Sequence, residues 1–119
     1  MILPNSLFAF HQNPIQKVRI GFIAAGFRGQ THIAEMLKRN DVEIVALADP
    51  DEIMIERSQQ LIEKSRGKRV EVYSNGDYDY RNLLARKDID AVFVSSPWEW
   101  HLKHGTEAMR AGKIVAMEV

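Results

Sequence analysis

Short runs of apolar residues recur along the chain and are separated by longer amphipathic segments. In the first run Val18, Ile20 and Phe22 alternate with polar residues or glycine, and Ile23 extends the apolar set. This pattern is typical of a strand that becomes buried on both faces, so we predict a strand over residues 17–23. The other apolar runs predict strands at residues 42–49, 70–73, 91–96 and 114–119.

Helical spacing of apolar residues predicts a helix in each interval between these strands. The first contains Ile33, Met36 and Leu37 and ends near Asn40. The others are predicted at residues 52–65, around Leu83 and Leu84 with Asp79 as a possible cap, and at 97–112. Strand and helix therefore alternate, and the connections are too long for hairpins. The predicted fold class is α/β, a doubly wound parallel sheet of the Rossmann type.

Composition narrows the partners and the domain organisation. The 119 residues suffice for one domain, which we place at residues 17–119 after an irregular N-terminal arm at residues 1–16. The arm lacks the features of a signal peptide, so a cytoplasmic location is the default and the location is otherwise open. A net charge of zero argues against nucleic acid, and no apolar run is long enough to cross a membrane. The chain has no cysteine, which excludes disulfides and thiolate chemistry.

The turn after the first predicted strand resembles a dinucleotide-binding fingerprint. Gly26 and Gly29 occupy the second and third glycine positions of a GxGxxG pattern, and Ala24 occupies the first. The backbone amides around Gly26, Phe27 and Arg28 would face a pyrophosphate at the start of a helix. Arg28 either adds a charged contact or is simply exposed. Ala24 fits if its φ is negative, whereas a positive φ would cost about 1 kcal/mol or more.

An acidic residue follows the second predicted strand. Asp49 lies about 20 residues after Gly29, the spacing of the carboxylate that binds the adenosine ribose in such folds. That carboxylate would repel a 2′-phosphate, so NAD is predicted as the cofactor in preference to NADP. Two structural alternatives stay open: the glycines serve only a tight turn, and Asp49 caps a helix or ends a strand in solvent.

Four segments together resemble a known enzyme family. They are VRIGFIAAGFRG, VALADPD, DYRNLLARKDIDAVFVSSPWEWH and AGKIVAMEV. In this order and spacing they are similar to the N-terminal half of the glucose-fructose oxidoreductase, inositol dehydrogenase and MocA (Gfo/Idh/MocA) family. The resemblance implies an NAD-binding domain that precedes a larger α/β substrate domain. The second domain is absent from this sequence, so we expect no turnover from the chain alone and carbohydrate binding only with that domain.

Within this family the WEWH segment and the Glu118-Val119 ending look most like glycoside hydrolase family 109. That resemblance implies a tightly held NAD and transient oxidation at sugar C3, followed by elimination, water addition and re-reduction, as in an α-N-acetylgalactosaminidase. Ordinary dehydrogenase members have Glu-Lys-Pro where this chain has Glu118-Val119. Because valine can neither donate nor accept a proton, a plain sugar dehydrogenase is less favoured, and the sequence identifies no catalytic residue.

The resemblance also assigns positions near the cofactor. Ser95, Ser96 and Pro97 match the loop that runs beside the dinucleotide. Trp98 and His101 would lie toward the nicotinamide, and Glu118 near its ribose. Alternatively, Trp98 and Trp100 pack on the second domain. His101 and His104 are three residues apart, but no further ligands are visible in the sequence, so no metal is expected.

Two further expectations concern function and assembly. An alternative from a different class is a Rossmann-like assembly or regulatory module that does not bind nucleotide, for which Ala24 is the motivating residue. The surface formed by Trp98, Trp100 and the apolar strand ends would normally be covered by the second domain, so its absence is expected to uncover an apolar patch or an unpaired strand edge and predicts a homodimer or a higher oligomer.

Overall fold

The computed structural model describes residues 17–118, so the predicted N-terminal arm and Val119 lie outside the described residues. Five strands and four helices alternate as predicted. The strands are β1 (Val18–Ile23), β2 (Val42–Ala48), β3 (Glu71–Tyr73), β4 (Ala91–Val94) and β5 (Ile114–Met117). The helices are α1 (Phe27–Leu37), α2 (Glu52–Arg66), α3 (Tyr80–Leu84) and α4 (Trp98–Arg110).

All five strands form one parallel sheet in the order β3-β2-β1-β4-β5. The chain first winds outward from β1 to β3 and then crosses to β4 on the other side of β1. The strand order therefore reverses between β1 and β4. In open sheets of this kind ligands bind at such a switch point, beyond the carboxyl ends of the strands. The predicted α/β Rossmann-type fold is confirmed.

Both faces of the sheet are covered, which explains the apolar density of the inner strands. On one face Ile20 and Phe22 of β1 pack with Ile33 of α1 and Ile62 of α2. On the other, residues of the central strands pack against α3 and α4 in a cluster that includes Ile23, Tyr80, Leu83, Val92, Val94 and Ala108. Helices α1 and α2 thus cover one face, and α3 and α4 cover the other.

The boundaries differ from the prediction where local hydrogen bonding ends an element early. The first helix stops at Leu37 rather than near Asn40, because the amides of Lys38 and Arg39 donate to carbonyls three residues back and tighten the last turn. Asp79 precedes α3 but does not cap it. Its carboxylate accepts hydrogen bonds from the Asn75 amide and the Asn82 side chain instead, so the predicted cap is wrong.

Among residues 17–118, no helix is long and apolar enough to span a bilayer.

Candidate functional site

A cleft of about 570 Å³ opens at the carboxyl ends of the strands. Its walls come from the β1–α1 turn, the end of β2, the β3–α3 connection and the start of α4. The residues that line it are Ile23, Ala24, Gly26, Phe27, Arg28, Ala48, Asp49, Pro50, Asp51, Met54, Tyr73, Gly76, Asp77, Tyr80, Ser95, Ser96, Pro97, Trp100 and His104. The cleft therefore lies over the switch point of the sheet, where the sequence predicted a nucleotide site.

The β1–α1 turn is bent by a residue that is not glycine. Ala24 has a φ of 76°, so of the two possibilities left open by the sequence the strained one applies. Gly29 lies against this bend, since a Cβ there would be 2.7 Å from the Ala24 carbonyl oxygen and 2.8 Å from Ser95 Oγ. Gly29 therefore serves close packing of helix against turn.

Gly26 has a different role. Its backbone is extended, with φ −70° and ψ −167°, and a Cβ built on it would meet no atom within 4 Å. Neither backbone conformation nor protein packing requires glycine here. Gly26 lies at the N-terminus of α1 and lines the cleft, where the helix dipole and free amides favour an anion. The open space above Gly26 fits the close approach of a pyrophosphate.

Replacing Ala24 with glycine should stabilise the domain. A left-handed alanine costs about 1–2 kcal/mol, which glycine would remove. This gain is reduced by about 0.4–1 kcal/mol because glycine has more conformational freedom in the unfolded chain. We expect the free energy of unfolding of Ala24→Gly to rise by up to about 1 kcal/mol, measured by urea denaturation. A decrease in stability would show that the strain at this turn is relieved elsewhere.

Asp49 is held against the same turn. One carboxylate oxygen, Oδ2, accepts a hydrogen bond from the Ala25 amide at 2.7 Å, and Oδ1 accepts one from the Asp51 amide at 2.9 Å. Asp49 does not cap α2, because Asp51 occupies the cap position and accepts from the amides of Ile53 and Met54. Each carboxylate oxygen of Asp49 retains a lone pair for a further donor such as a ribose hydroxyl.

The loop after β4 is held in place by side-chain contacts at Ser95 and at Ser96. Ser95 Oγ donates to the Ala24 carbonyl at 3.0 Å and so joins this loop to the β1–α1 turn. On the other side, His101 Nδ1 lies 3.2 Å from the Ser96 carbonyl oxygen and His104 Nδ1 lies 2.8 Å from Ser96 Oγ. The two histidines, three residues apart on α4, thus fix Ser96. No group of three or more metal-ligating side chains occurs within residues 17–118.

Arg28 and Glu118 meet at the edge of the cleft. Arg28 Nε donates to Glu118 Oε1 at 2.6 Å, and Glu118 Oε2 lies 2.9 Å from His32 Nε2. The hydrogen bonds from Arg28 and His32 lower the pKa of the Glu118 carboxyl. The Arg28 side chain is 69% exposed even in this pair and lines the cleft, so its charged contact with a pyrophosphate stays a prediction.

The structure brings most of the predicted site residues together and leaves four outside the cleft lining. Ala24, Gly26, Phe27, Arg28, Asp49, Ser95, Ser96 and Pro97 line it, whereas Gly29, Trp98, His101 and Glu118 do not. Gly29 supports the turn from behind, His101 holds Ser96, and Glu118 holds Arg28. Trp98 is 92% exposed at the start of α4 and lines no part of the cleft.

Sequence reasoning missed the aromatic wall of the cleft. Tyr80 is buried, and its ring lies edge-on to His104 at 4.3 Å between ring centroids. Trp100 also stacks on His104, with 5.3 Å between ring centroids. The sequence feature that could have indicated this wall is the spacing of Trp100 and His104, which lie four residues apart on one helix face. Their contact with Tyr80 depends on the packing of α3 against α4, which the spacing does not reveal.

Comparisons with known proteins agree on the family. A family model described as an oxidoreductase family with an NAD-binding Rossmann fold matches residues 18–119. A glycosyl hydrolase family 109 protein from a Shewanella species is 40% identical over 102 residues, and an alpha-N-acetylgalactosaminidase from Shewanella oneidensis is 37% identical over 105 residues. These matches cover 86% and 88% of this chain but only 22% and 23% of the relatives. The chain thus spans less than a quarter of their length.

Solved structures show the same architecture. A 3-ketoreductase from Actinomadura kijaniata in complex with NADP is 28% identical, with a TM-score of 0.66 over 86% of this chain and 30% of the other. A myo-inositol dehydrogenase from Corynebacterium glutamicum is 30% identical, with a TM-score of 0.67 over 85% and 27%. With the glycine turn and its acidic partner in place, the family match from β1 onward establishes that this chain belongs to the Gfo/Idh/MocA oxidoreductase family through its NAD-binding Rossmann domain.

Proposed function

We propose that this domain binds NAD in preference to NADP and serves as the nucleotide-binding half of an enzyme that acts on a sugar or glycoside. The observation that carries the cofactor preference is the position of Asp49, whose carboxylate is fixed within 2.7 Å of the Ala25 amide at the rim of the cleft. A ribose with free hydroxyls can donate to it. A 2′-phosphate would bring a second negative charge to the same place.

The charges around the cleft support this preference. Asp49, Asp51 and Asp77 line the wall formed by the ends of β2 and β3, and Arg28 is the one lysine or arginine among the lining residues. Arg28 is paired with Glu118. No cation among the lining residues is therefore free to neutralise a 2′-phosphate.

Asp49→Asn should reduce the discrimination between the two cofactors. Loss of a hydrogen bond to a charged acceptor costs about 1.5–3 kcal/mol, so we expect NADH affinity to fall about tenfold or more and the ratio of NADPH to NADH affinity to rise. Calorimetric titration of both nucleotides measures this. Asp77→Asn is the matched control, because it removes a charge from the same wall without touching the β1–α1 turn. An equal loss in both variants would contradict a specific role for Asp49.

The proposed reaction is transient oxidation of a glycoside, which the glycosidase names of the curated relatives support. Bound NAD supplies the hydride acceptor. The domain's own residues orient it: the β1–α1 turn binds its diphosphate and Asp49 its ribose. Glu118, with a lowered pKa, is ionised near neutral pH and accepts hydrogen bonds rather than donating a proton. Val119 stands where dehydrogenase members of the family have lysine and can neither donate nor accept a proton, so acid–base groups would come from the substrate domain.

The experiment that tests this function has two parts. The isolated chain should bind NADH in a calorimetric titration and release no nitrophenol from 4-nitrophenyl α-N-acetylgalactosaminide. In a protein that joins this domain to a substrate domain, aglycone release without net NADH accumulation would support transient oxidation, and stoichiometric NADH would support a dehydrogenase. Absence of NADH binding, with no thermal shift, would favour the assembly or regulatory alternative.

We also propose that the chain self-associates through the outer side of α4 and β5. Trp98, Leu102 and Met109 of α4 are exposed, as are Ile114 and Met117 of β5. Among the described strands, β5 pairs only with β4 and leaves its other edge open. Exposed apolar strand edges favour pairing with another chain.

Analytical ultracentrifugation should therefore detect a dimer or larger species at about 0.1 mM. This concentration is high enough to reveal weak association. Leu102→Glu should shift the chain toward monomer because it places a charge in the apolar patch. Ile53→Glu is the control, since Ile53 is also well exposed but lies at the start of α2 on the other face of the sheet. A monodisperse monomer at this concentration would contradict the proposal.

A further inference from the structure

We propose that His104 is a base-recognition residue whose Nε2 forms a hydrogen bond with the edge of the adenine ring. The proposal rests on the proposed function, because it concerns the adenosine half of the same dinucleotide. His104 is absent from the sequence-derived site and has no part in the reaction described above. Its surroundings in the cleft single it out.

The first observation is an unsatisfied polar atom. His104 is 7% exposed and lines the cleft. Its Nδ1 is engaged by Ser96 Oγ at 2.8 Å. Among the buried side-chain nitrogens and oxygens of residues 17–118, Nε2 of His104 alone lacks a hydrogen-bond partner. Buried polar groups are rarely left unpaired, because each unmade hydrogen bond is costly. A group of this kind beside a cleft indicates a ligand contact.

The second observation is the aromatic wall formed by Tyr80 and Trp100 around the His104 ring. Trp100 lies nearly parallel to the His104 ring, with an angle of 22° and 5.3 Å between centroids, and Tyr80 lies edge-on at 4.3 Å. Flat apolar faces of this kind suit a planar heteroaromatic base, since bases stack on aromatic side chains. Aromatic rings with one polar atom among them suit a base better than a phosphate.

The position in the cleft agrees with an adenosine contact. Asp49, the proposed ribose ligand, and Tyr73 line the cleft at the ends of β2 and β3. His104 and Trp100 line it at the start of α4, beyond Ser96. A nucleotide with its diphosphate at Gly26 and its ribose at Asp49 leaves the aromatic wall for the base.

His104 is neutral under ordinary conditions. Burial lowers its pKa to about 4, offset in part by Glu107 and reinforced by the positive charge of Lys103. One ring nitrogen therefore carries a proton and the other does not. Adenine presents both an exocyclic amine that donates and ring nitrogens that accept, so it can satisfy Nε2 in either tautomer. Because Nε2 is closed to solvent, the contact requires a shift of the aromatic side chains around it.

The direct test is ¹⁵N NMR of histidine imidazoles in the chain, titrated separately with AMP and with nicotinamide mononucleotide. Both probes carry one phosphate for the β1–α1 turn and differ in the base. The Nε2 resonance of His104 should shift with AMP and not with nicotinamide mononucleotide, because imidazole nitrogen shifts report hydrogen bonding. His32, whose Nε2 faces Glu118, is the internal reference for phosphate effects common to both probes.

The variant test uses His104→Leu, which keeps a side chain of similar bulk and removes both ring nitrogens. AMP affinity should fall about tenfold, as expected for loss of one buried hydrogen bond, whereas affinity for nicotinamide mononucleotide should stay within about twofold. The melting temperature of the nucleotide-free variant is measured as the control for folding, because the variant loses the contact with Ser96 Oγ as well as the unpaired Nε2. If this variant fails to fold, the NMR titration of the unchanged chain decides alone.

The outcomes separate the two proposals. AMP binding without a shift at His104 Nε2, or equal affinity in His104→Leu, would overturn the role of His104 and leave the proposed function intact. Absence of binding by AMP, nicotinamide mononucleotide and NADH would overturn both. A shift at Nδ1 alone would assign His104 to the positioning of Ser96 and contradict the base contact.

Discussion

Gly26→Ala is expected to abolish NADH binding while the domain stays folded. The extended backbone of Gly26 is one that alanine adopts without strain, and its Cβ would meet no protein atom within 4 Å. The new methyl group would instead project into the space that a diphosphate occupies against the turn. We expect affinity to fall at least a hundredfold, measured by calorimetric titration, with a change in the free energy of unfolding within about 0.5 kcal/mol, since surface substitutions usually change little.

Gly29→Ala is the matched control because it makes the same chemical change three residues away. Its Cβ would lie 2.7 Å from the Ala24 carbonyl oxygen, a backbone atom that cannot move cheaply. Overpacking of this kind costs about 1–3 kcal/mol, and the better helix propensity of alanine recovers up to about 1 kcal/mol of it. This variant should therefore unfold at lower urea concentration, whereas Gly26→Ala should not.

The two measurements together distinguish a binding turn from a merely tight turn. If both variants lost stability equally and Gly26→Ala still bound NADH, the glycines would serve only chain geometry. That outcome would favour the alternative in which the domain assembles or regulates without a nucleotide. If Gly26→Ala loses NADH binding but keeps its stability, the glycine is needed because a ligand approaches it closely.

Much of the fold could be predicted because its determinants are local and periodic. Buried parallel strands are nearly continuous apolar runs, and the helices between them keep apolar residues at helical spacing. The spacing of Gly26, Gly29 and Asp49 could be predicted for a related reason, because a fixed turn and one crossover place them together. The structure brings the Asp49 carboxylate within 2.7 Å of the Ala25 amide, next to Gly26.

The missed features depend on contacts between distant segments. Tyr80 meets Glu107 at 2.8 Å through its hydroxyl group, and burial together with this contact raises its pKa to about 12. No sequence periodicity joins α3 to α4 in this way. The sign of φ at Ala24 was also undecided, because a turn residue other than glycine can take either sign and tertiary packing selects one.

The domain should lose stability on mild acidification because of His104. Burial holds the pKa of this imidazole at about 4, below its ordinary value of 6.5. Between these two values the unfolded chain binds a proton that the folded chain does not. Stability therefore falls as the pH drops from about 6.5 to about 4 and the contribution levels off below that, with a loss of up to about 3 kcal/mol. Urea denaturation at a series of pH values measures it.

The control for this prediction is His104→Leu, in which no imidazole titrates at that position. The difference in stability between this variant and the unchanged chain should move in favour of the variant as the pH falls from 6.5 to 4, because carboxylates that protonate in this range affect both proteins alike. Where the adenine amine donates to Nε2, bound NADH should steepen the loss for the unchanged chain, since a proton on Nε2 would displace that donor. Parallel stability profiles for the two proteins would show that His104 protonates in the folded state as readily as in the unfolded chain.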